Sequence, residues 1–360
     1  GGDQAVIRQE GKYTFFGGKT QEVEKRTKVK ARVISHALEE LIKKSDNVIV
    51  MGHVNGDIDS IGSSLGIYRL AKTFDKEAYV VNNTYGLSLE NFITTLKEQG
   101  YGDVIIDKNG ALNLISSNSL LVVVDTHKKS YVEVPELLEK TEKIVVIDHH
   151  RKSEDFIENA ILTFHEAYAS SASELVTEIV EYATQEVTLE QLEAESLYAG
   201  IMMDTKNFTF KTGVRTFEAA AYLRKCGVDI IKVKKWFQSD LESYTVIADI
   251  VKNAEIINDT IAISEYTEKD KNANLICAKA ADELITISDI TASFVLGQMG
   301  DKICISGRSI GDINVQIILE KMGGGGHITL AGAQLEGLTM EEAKTELIIR
   351  INEYFTENNV

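Results

Sequence analysis

The sequence predicts an α/β protein in which a parallel-sheet domain is joined through a helical connection to a smaller α/β domain. Three observations predict it. Apolar, largely β-branched runs recur at 48–51, 78–81, 104–106, 120–124 and 144–147, with helical or loop segments between them. Continuous runs alternating with helices belong to a parallel sheet covered on both faces. Several of the runs end on Asp or His, and open α/β sheets bind ligands beyond the carboxyl ends of their strands. A second set of elements begins after residue 253, where strand-like runs at 255–257 and 261–264 flank Asn258-Asp259, a hairpin signal.

Composition narrows the function. A chain of 360 residues, 44% of them hydrophobic, is long enough for two domains with real cores. Its formal net charge of -17 argues against holding duplex nucleic acid by broad phosphate neutralisation, which needs a basic face. A small anionic substrate at a local site stays open. No apolar run approaches the roughly 18 residues of a membrane span, and no secretory signal is visible. The region is therefore expected to be soluble and cytoplasmic, without membrane contact. Cys226, Cys277 and Cys304 lie far apart in apolar surroundings and form no C-x-x-C pair. They are expected to be buried and structural.

Residues 1–32 read as short strands, a Gly-Gly turn and a charged linker, too small for a core of their own and expected to be the remnant of a larger domain. An amphipathic helix over about 33–45 leads into the first strand. That strand runs into His53, Asp57 and Asp59. In an extended turn side chains two apart point the same way, so Asp57 and Asp59 are expected to reach one small volume, with His53 closing it. The next helix buries Ile61, Leu65 and Tyr68, and its Gly62, Ser63 and Ser64 allow close backbone approach. The strand at 121–124 delivers Asp125, and that at 143–147 delivers Asp148, His149 and His150. Ser171-Ala172-Ser173-Glu174 has capping-box spacing ahead of a helix carrying Leu175, Ile179 and Tyr182. Another helix, 189–203, ends at Asp204. Helix 217–225 closes the domain, and 230–253 is largely helical. The predicted divisions are 1–32, 33–228, a helical linker at 229–253, and 254–360. Within the last, a helix is expected around 288–297, a strand at 303–306 and a final helix at 339–354.

The acids and histidines imply a chemistry. Four aspartates with imidazoles suit two divalent cations about 3.5 to 4 Å apart with one bridging carboxylate, for which Asp125 is the choice. Oxygen-rich sites with some imidazole favour Mn2+, with Mg2+, Co2+ or Fe2+ as alternatives. Their expected job is to make hydroxide from water and place it in line with a phosphorus. A single Asp at a strand end is ordinarily a helix N-cap; the joint pattern carries the reading. His36 and His165 read as surface or satisfied residues, and His127 as loop packing or support for a ligand. Asp148 reads as a carboxylate orienting an imidazole.

Asp148-His149-His150 after an apolar strand, with GHVNGDID, VVVDTH, MMDTKNFTF and GGGGH in order, resembles the DHH phosphoesterases with their DHHA1 partner domain over residues 33–357. That resemblance implies metal ligands at His53, Asp57, Asp59, Asp125, His149 and Asp204, the last of which spacing alone does not rank. It places substrate on the second domain. There Arg308 would pair with a phosphate, Gly323, Gly324, Gly325 and Gly326 would let backbone N–H groups approach a phosphate or base, and His327 would donate to a phosphate oxygen. A helix C-cap accounts for one of the four glycines. Asn314 and Gln316 are expected to pack.

Gly1-Gly2-Asp3-Gln4 before an apolar strand resembles the tail of a GGDEF-type domain with an altered signature, the alternative being glycines from an expression tag. Within the family this resembles the GdpP-type cyclic di-AMP phosphodiesterases, in which transmembrane helices and a PAS domain come first. The implied partner is a cyclic dinucleotide. The implied reaction converts cyclic di-AMP to linear pApA, with His150 contacting the phosphate or protonating the leaving 3' oxygen. A homodimer and a membrane-anchored parent facing the cytoplasm are expected. Asn55-Gly56 departs from the usual proline or bulkier residue in that loop. Short oligoribonucleotides or adenosine bisphosphate as substrates, and a catalytically silent nucleotide sensor, are the competing expectations.

Overall fold

Leu120 to Val124 are all shut off from solvent, and their side chains divide between two cores: Leu120, Val122 and Val124 join one, Leu121 and Val123 the other. A strand buried on both faces has no use for polar residues, hence the unbroken apolar run. In this computed structural model residues 5–9, 12–16, 28–83, 89–238, 240–310 and 313–358 are described, and the chain forms two compact units, Gly1–Gln238 and Ser239–Val360.

The first unit begins with an antiparallel hairpin, β1 (Ala5–Gln9) and β2 (Lys12–Phe16). The altered signature at Gly1 to Gln4 and the Gly17-Gly18 turn lie outside the described residues. Helix α1 (Val29–Lys43) then leads into a parallel sheet of six strands. Five are the predicted ones: β3 (Asn47–Met51), β4 (Glu77–Val81), β5 (Ile105–Ile106), β6 (Leu120–Val124) and β7 (Ile144–Asp148). The sixth, β8 (Leu162–His165), was not predicted, because a four-residue edge strand with Thr163 and His165 carries no apolar run. The order is β5-β4-β3-β6-β7-β8, so the chain reverses direction across the sheet at β3 and β6. Crevices at such a reversal are where α/β sheets bind ligands.

Around the sheet lie α2 (Ile58–Thr73), α3 (Glu90–Leu96), α4 (Lys108–Leu114), α5 (Ala172–Glu181), α6 (Gln191–Asp204), α7 (Val214–Lys225) and α8 (Ile230–Trp236). Helices α2 and α6 pack almost backbone to backbone. A methyl group at Gly62 would come within 2.4 Å of the Ser196 carbonyl, and one at Gly200 within 2.7 Å of Asp59 Oδ1. The capping box predicted for α5 forms by half. Ser171 Oγ accepts from Glu174 N at 3.0 Å, while the Glu174 carboxylate accepts from Ser170 instead.

The second unit holds α9 (Leu241–Lys252), β9 (Glu255–Ile257), β10 (Ile261–Lys269), α10 (Ala273–Leu284), β11 (Ala292–Met299), β12 (Lys302–Ser309), α11 (Val315–Glu320), β13 (Gly325–His327), β14 (Leu330–Glu336) and α12 (Met340–Asn358). The sheet runs β13-β14-β12-β11-β10-β9, with only the β10–β11 pair parallel. The predicted hairpin forms with a three-residue loop, Asn258 to Thr260, in which Asn258 and Asp259 take positive φ (47° and 62°). The helix expected around 288–297 is instead strand β11: Ala292 to Gly297 form a buried run between β10 and β12, reached through the crossover helix α10. Residues 229–253 form two helices, α8 packed in the core of the first unit and α9 in that of the second.

Candidate metal centre

Each predicted ligand is held by the local structure its sequence dictates. His53 leaves the end of β3 with Nδ1 donating to the Val54 carbonyl at 2.9 Å, which frees Nε2. That Nε2 lies 3.4 Å from Asp125 Oδ2 and 4.0 Å from Asp57 Oδ1. Asp57 N-caps α2, accepting from Asp59 N at 2.9 Å and Ser60 N at 3.1 Å. The cap starts a helix where an extended turn was expected, and this separates the two acids. Asp59 lies within the first turn of α2 and reaches a different group of ligands. Its buried carboxylate accepts from Ala172 N at 2.7 Å and Ser173 N at 2.8 Å, capping α5, and Oδ2 sits 3.9 Å from His149 Nε2.

Asp125 follows β6 with φ of 59°, a conformation uncommon for a residue with a side chain and one that clusters at functional sites. Its Oδ2 faces His53, and its Oδ1 lies 3.3 Å from His149 Nε2. His149, just past β7, also meets Asp204 Oδ2 at 3.2 Å, Asp204 being the last residue of α6. All six predicted ligands therefore converge. They do so in two groups, His53 with Asp57 and Asp125, and Asp59 with His149 and Asp204, each with ligand atoms within 4.8 Å of one another. Asp125 lies between them.

The donor set fits a divalent cation. Asp125 Oδ1 and both His149 nitrogens are buried without a hydrogen-bond partner among the described residues. Unsatisfied buried polar atoms are costly, and a metal ion would satisfy them. The charges say the same. Burial, then the charges of Asp125 and Asp57, push the Asp59 carboxyl well above its usual range. Burial and the neighbouring aspartates do the same to Asp204. At Asp125 burial is outweighed by the imidazoles of His149 and His53, which hold the carboxyl at about 2. Burial lowers His149, so its imidazole is neutral and ready to ligate.

Behind this cluster lies a second one. Asp148 Oδ1 accepts from His150 N at 3.1 Å and from His150 Nδ1 at 2.8 Å, and Oδ2 pairs with His127 Nδ1. Ser153 N donates to His127 Nε2 at 3.0 Å, so the His127 proton sits on Nδ1 and points at Asp148. His165 Nε2 donates to the His150 carbonyl and stands edge-on to His127. His165 is thus satisfied but belongs to the support of the site. Its signal was its register opposite Asp148 on β8, invisible without that strand. Sequence reasoning also missed Tyr131, whose ring stacks on His53.

The substrate residues expected in the second unit are placed less simply. Arg308 is buried, with Nε donating to Asp282 Oδ1 at 2.7 Å and Nη1 to the Gly307 carbonyl at 2.9 Å. The glycine run answers more to backbone geometry than the single C-cap expected. Gly323 takes φ of 77° after α11, a methyl at Gly324 would lie 2.3 Å from the Gly332 carbonyl, and Gly326 has φ of 149°. Gly325 alone has positive φ nowhere and open space around it. His327 ends β13 opposite Leu330. Asn314 caps α11, accepting from Gln316 N and Ile317 N.

An α/β sheet that gathers imidazoles and carboxylates at its point of strand reversal defines a metal-binding protein. Residues 47–201 match the DHH family, N-terminal domain, and residues 258–357 match the DHHA1 domain. The chain belongs to the DHH family and carries a DHHA1 domain after its DHH domain. It is 46% identical to the cyclic-di-AMP phosphodiesterase GdpP of Geobacillus thermodenitrificans, across 99% of this chain and 55% of that protein. Identity and coverage are the same for the cyclic-di-AMP phosphodiesterase PdeA of Listeria monocytogenes. The bifunctional oligoribonuclease and PAP phosphatase NrnA of Thermus thermophilus is 27% identical across 86% of this chain and 90% of its own. The chain thus spans about half the length of the phosphodiesterases it matches. An exopolyphosphatase-related protein from Bacteroides fragilis has the same fold, with a TM-score of 0.77 at 21% identity over 91% of this chain and 98% of that one.

Proposed function

We propose that this chain is the catalytic portion of a metal-dependent phosphodiesterase that hydrolyses cyclic di-AMP to linear 5'-pApA. The observation that carries it is Asp125, whose Oδ2 lies 3.4 Å from His53 Nε2 and whose Oδ1 lies 3.3 Å from His149 Nε2, in two adjoining groups of ligands. The substrate follows the two relatives at 46% identity rather than the one at 27%. Two cations, Mn2+ first with Mg2+, Co2+ or Fe2+ as alternatives, held by His53, Asp57, Asp59, Asp125, His149 and Asp204, would supply a water of lowered pKa as nucleophile.

The remaining roles fall to the protein. Asp148 fixes His150 through Nδ1, which leaves Nε2 to contact the phosphate or give its proton to the leaving 3' oxygen. Arg308, Gly323, Gly324, Gly325, Gly326 and His327 are assigned to the substrate, with residues 33–228 as catalytic domain, 229–253 as linker and 254–360 as substrate domain. The substrate is a cyclic dinucleotide and the assembly a homodimer. The parent protein is anchored in the membrane with this region in the cytoplasm; among the described residues no helix is long and apolar enough to cross a membrane.

A second reading, a phosphatase of short linear nucleotides, is favoured by the 90% coverage of NrnA. Chromatography of products from cyclic di-AMP, pApA and adenosine 3',5'-bisphosphate with Mn2+ separates the two. Cyclic di-AMP should be consumed fastest and yield pApA; preference for the linear compounds would select the second reading.

A further inference from the structure

Tyr131 is an aromatic ring fixed at the mouth of the metal centre with no part in holding the metal. Its ring lies parallel to that of His53, 5.2 Å between centroids and 5° between planes. One face is therefore turned to His53, yet the residue keeps 47% of its exposure.

The mount is rigid. Tyr131 ends a short 3-10 turn, Lys129–Tyr131, and its carbonyl accepts from Val54 N at 2.9 Å. Next to it Val132 bridges His53, and Glu133 N donates to the Gly52 carbonyl at 3.0 Å. The base of the turn is pinned by Asp155, which accepts from Ser130 N at 3.0 Å and from Ser130 Oγ. Asp155 also lends its backbone carbonyl to Lys129 N at 3.3 Å. Propping an imidazole needs only the covered face. A preorganised aromatic surface beside a centre that handles phosphorus is suited to a flat heterocycle, because every base has a π-face to stack.

We propose that Tyr131 is a nucleobase platform: one purine of the dinucleotide stacks on its outer face while the adjoining phosphate lies at the metal centre. This rests on the proposed reading of the substrate, and a cyclic dinucleotide brings two bases that need two places. The ligand class is a purine nucleotide, and Tyr131 is a binding residue that sets affinity for base-bearing phosphodiesters over base-free ones.

The test uses the full chain loaded with Mn2+ and the variants Tyr131→Leu and Tyr131→Phe. Rapid mixing with a cyclic dinucleotide bearing one 2-aminopurine reads stacking as loss of fluorescence before turnover. Wild type and Tyr131→Phe should quench the probe and Tyr131→Leu should not. KM for cyclic di-AMP should rise roughly tenfold in Tyr131→Leu, while KM for a cyclic diester lacking both bases stays put. Equal quenching by Tyr131→Leu would overturn the proposal. So would an equal loss of kcat on both diesters with weakened Mn2+ binding, since Tyr131 would then act only through His53. If the wild type turned over no cyclic di-AMP, the substrate reading would fail by itself; repeating the quench with a linear 2-aminopurine dinucleotide would still decide the platform.

Discussion

Asp125 Oδ1 and His149 Nε2 lie 3.3 Å apart in the interior, and neither has a hydrogen-bond partner among the described residues. Two polar atoms kept this close and left unsatisfied mark a place prepared for a third atom. A cation there should stabilise the fold by mass action. Adding Mn2+ to chelator-stripped protein is expected to raise Tm, by an amount equivalent to about 2.7 kcal/mol when free metal is about a hundred times Kd. Scanning calorimetry reads this directly, and an unmoved Tm would show that the cluster does not bind the ion.

Metal binding should also release protons. Burial disfavours the charged form of His53, but its contact with Asp125 and the charge of Asp57 carry the pKa up to about 9. In the metal-free protein that interaction stabilises the fold fully below the unfolded value near 6.5 and is lost as pH rises through about 9. At neutral pH the cation must displace this proton. Apparent affinity should therefore rise with pH up to about 9, by about tenfold per unit for each proton displaced. Calorimetric titration in two buffers of different protonation enthalpy measures the release; identical heats would count against it.

Asp59 and Asp204 should part company on mutation. Both face His149, but only Asp59 also caps α5 through Ala172 N and Ser173 N. Asp204→Ala is expected to abolish turnover with the fold intact. Asp59→Ala should abolish turnover and cost a further ~1 to 2 kcal/mol in denaturant unfolding. Full activity in metal-loaded Asp59→Ala would contradict its place among the ligands.

The glycine run offers a comparison between adjacent residues. Gly324→Ala drives a methyl group into the Gly332 carbonyl and should lower stability, whereas Gly325→Ala meets open space. Stability unchanged in Gly325→Ala with a raised KM for cyclic di-AMP would locate substrate at that residue. An unchanged KM would leave the run purely structural.

Arg308→Ala should do two things at once. It removes the proposed phosphate partner and strips Asp282 of its 2.7 Å contact, so KM should rise and stability fall by ~1 to 3 kcal/mol. Paired unfolding and steady-state measurements separate these effects. A change in KM alone would mean that the Asp282 contact contributes nothing to the fold.

Strands β3, β6 and β7 were legible because burial on both faces leaves an unmistakable apolar run. Edge strand β8 has no such run. In β11, Ala292, Ser293 and Gly297 mix small residues into the run, and only the pairing with β10 and β12 reveals a strand. The residues that gather at the site were legible by type, since acids and histidines recur at strand tips. Their division into two groups was not. It depends on Asp57 starting a helix that carries Asp59 away, and on Asp125 taking a left-handed backbone, neither of which spacing encodes. His165 and Tyr131 enter through register and ring stacking, which arise only when the sheet is assembled.

Gly200 has no side chain of its own to offer the site, yet a methyl group there would press on both Asp59 and Ser173 Oγ. The gap across which Asp59 and Asp204 face each other is thus set by how tightly two helices pass. Room for the Asp59 carboxylate therefore depends on hydrogen atoms standing in for side chains at positions 62 and 200.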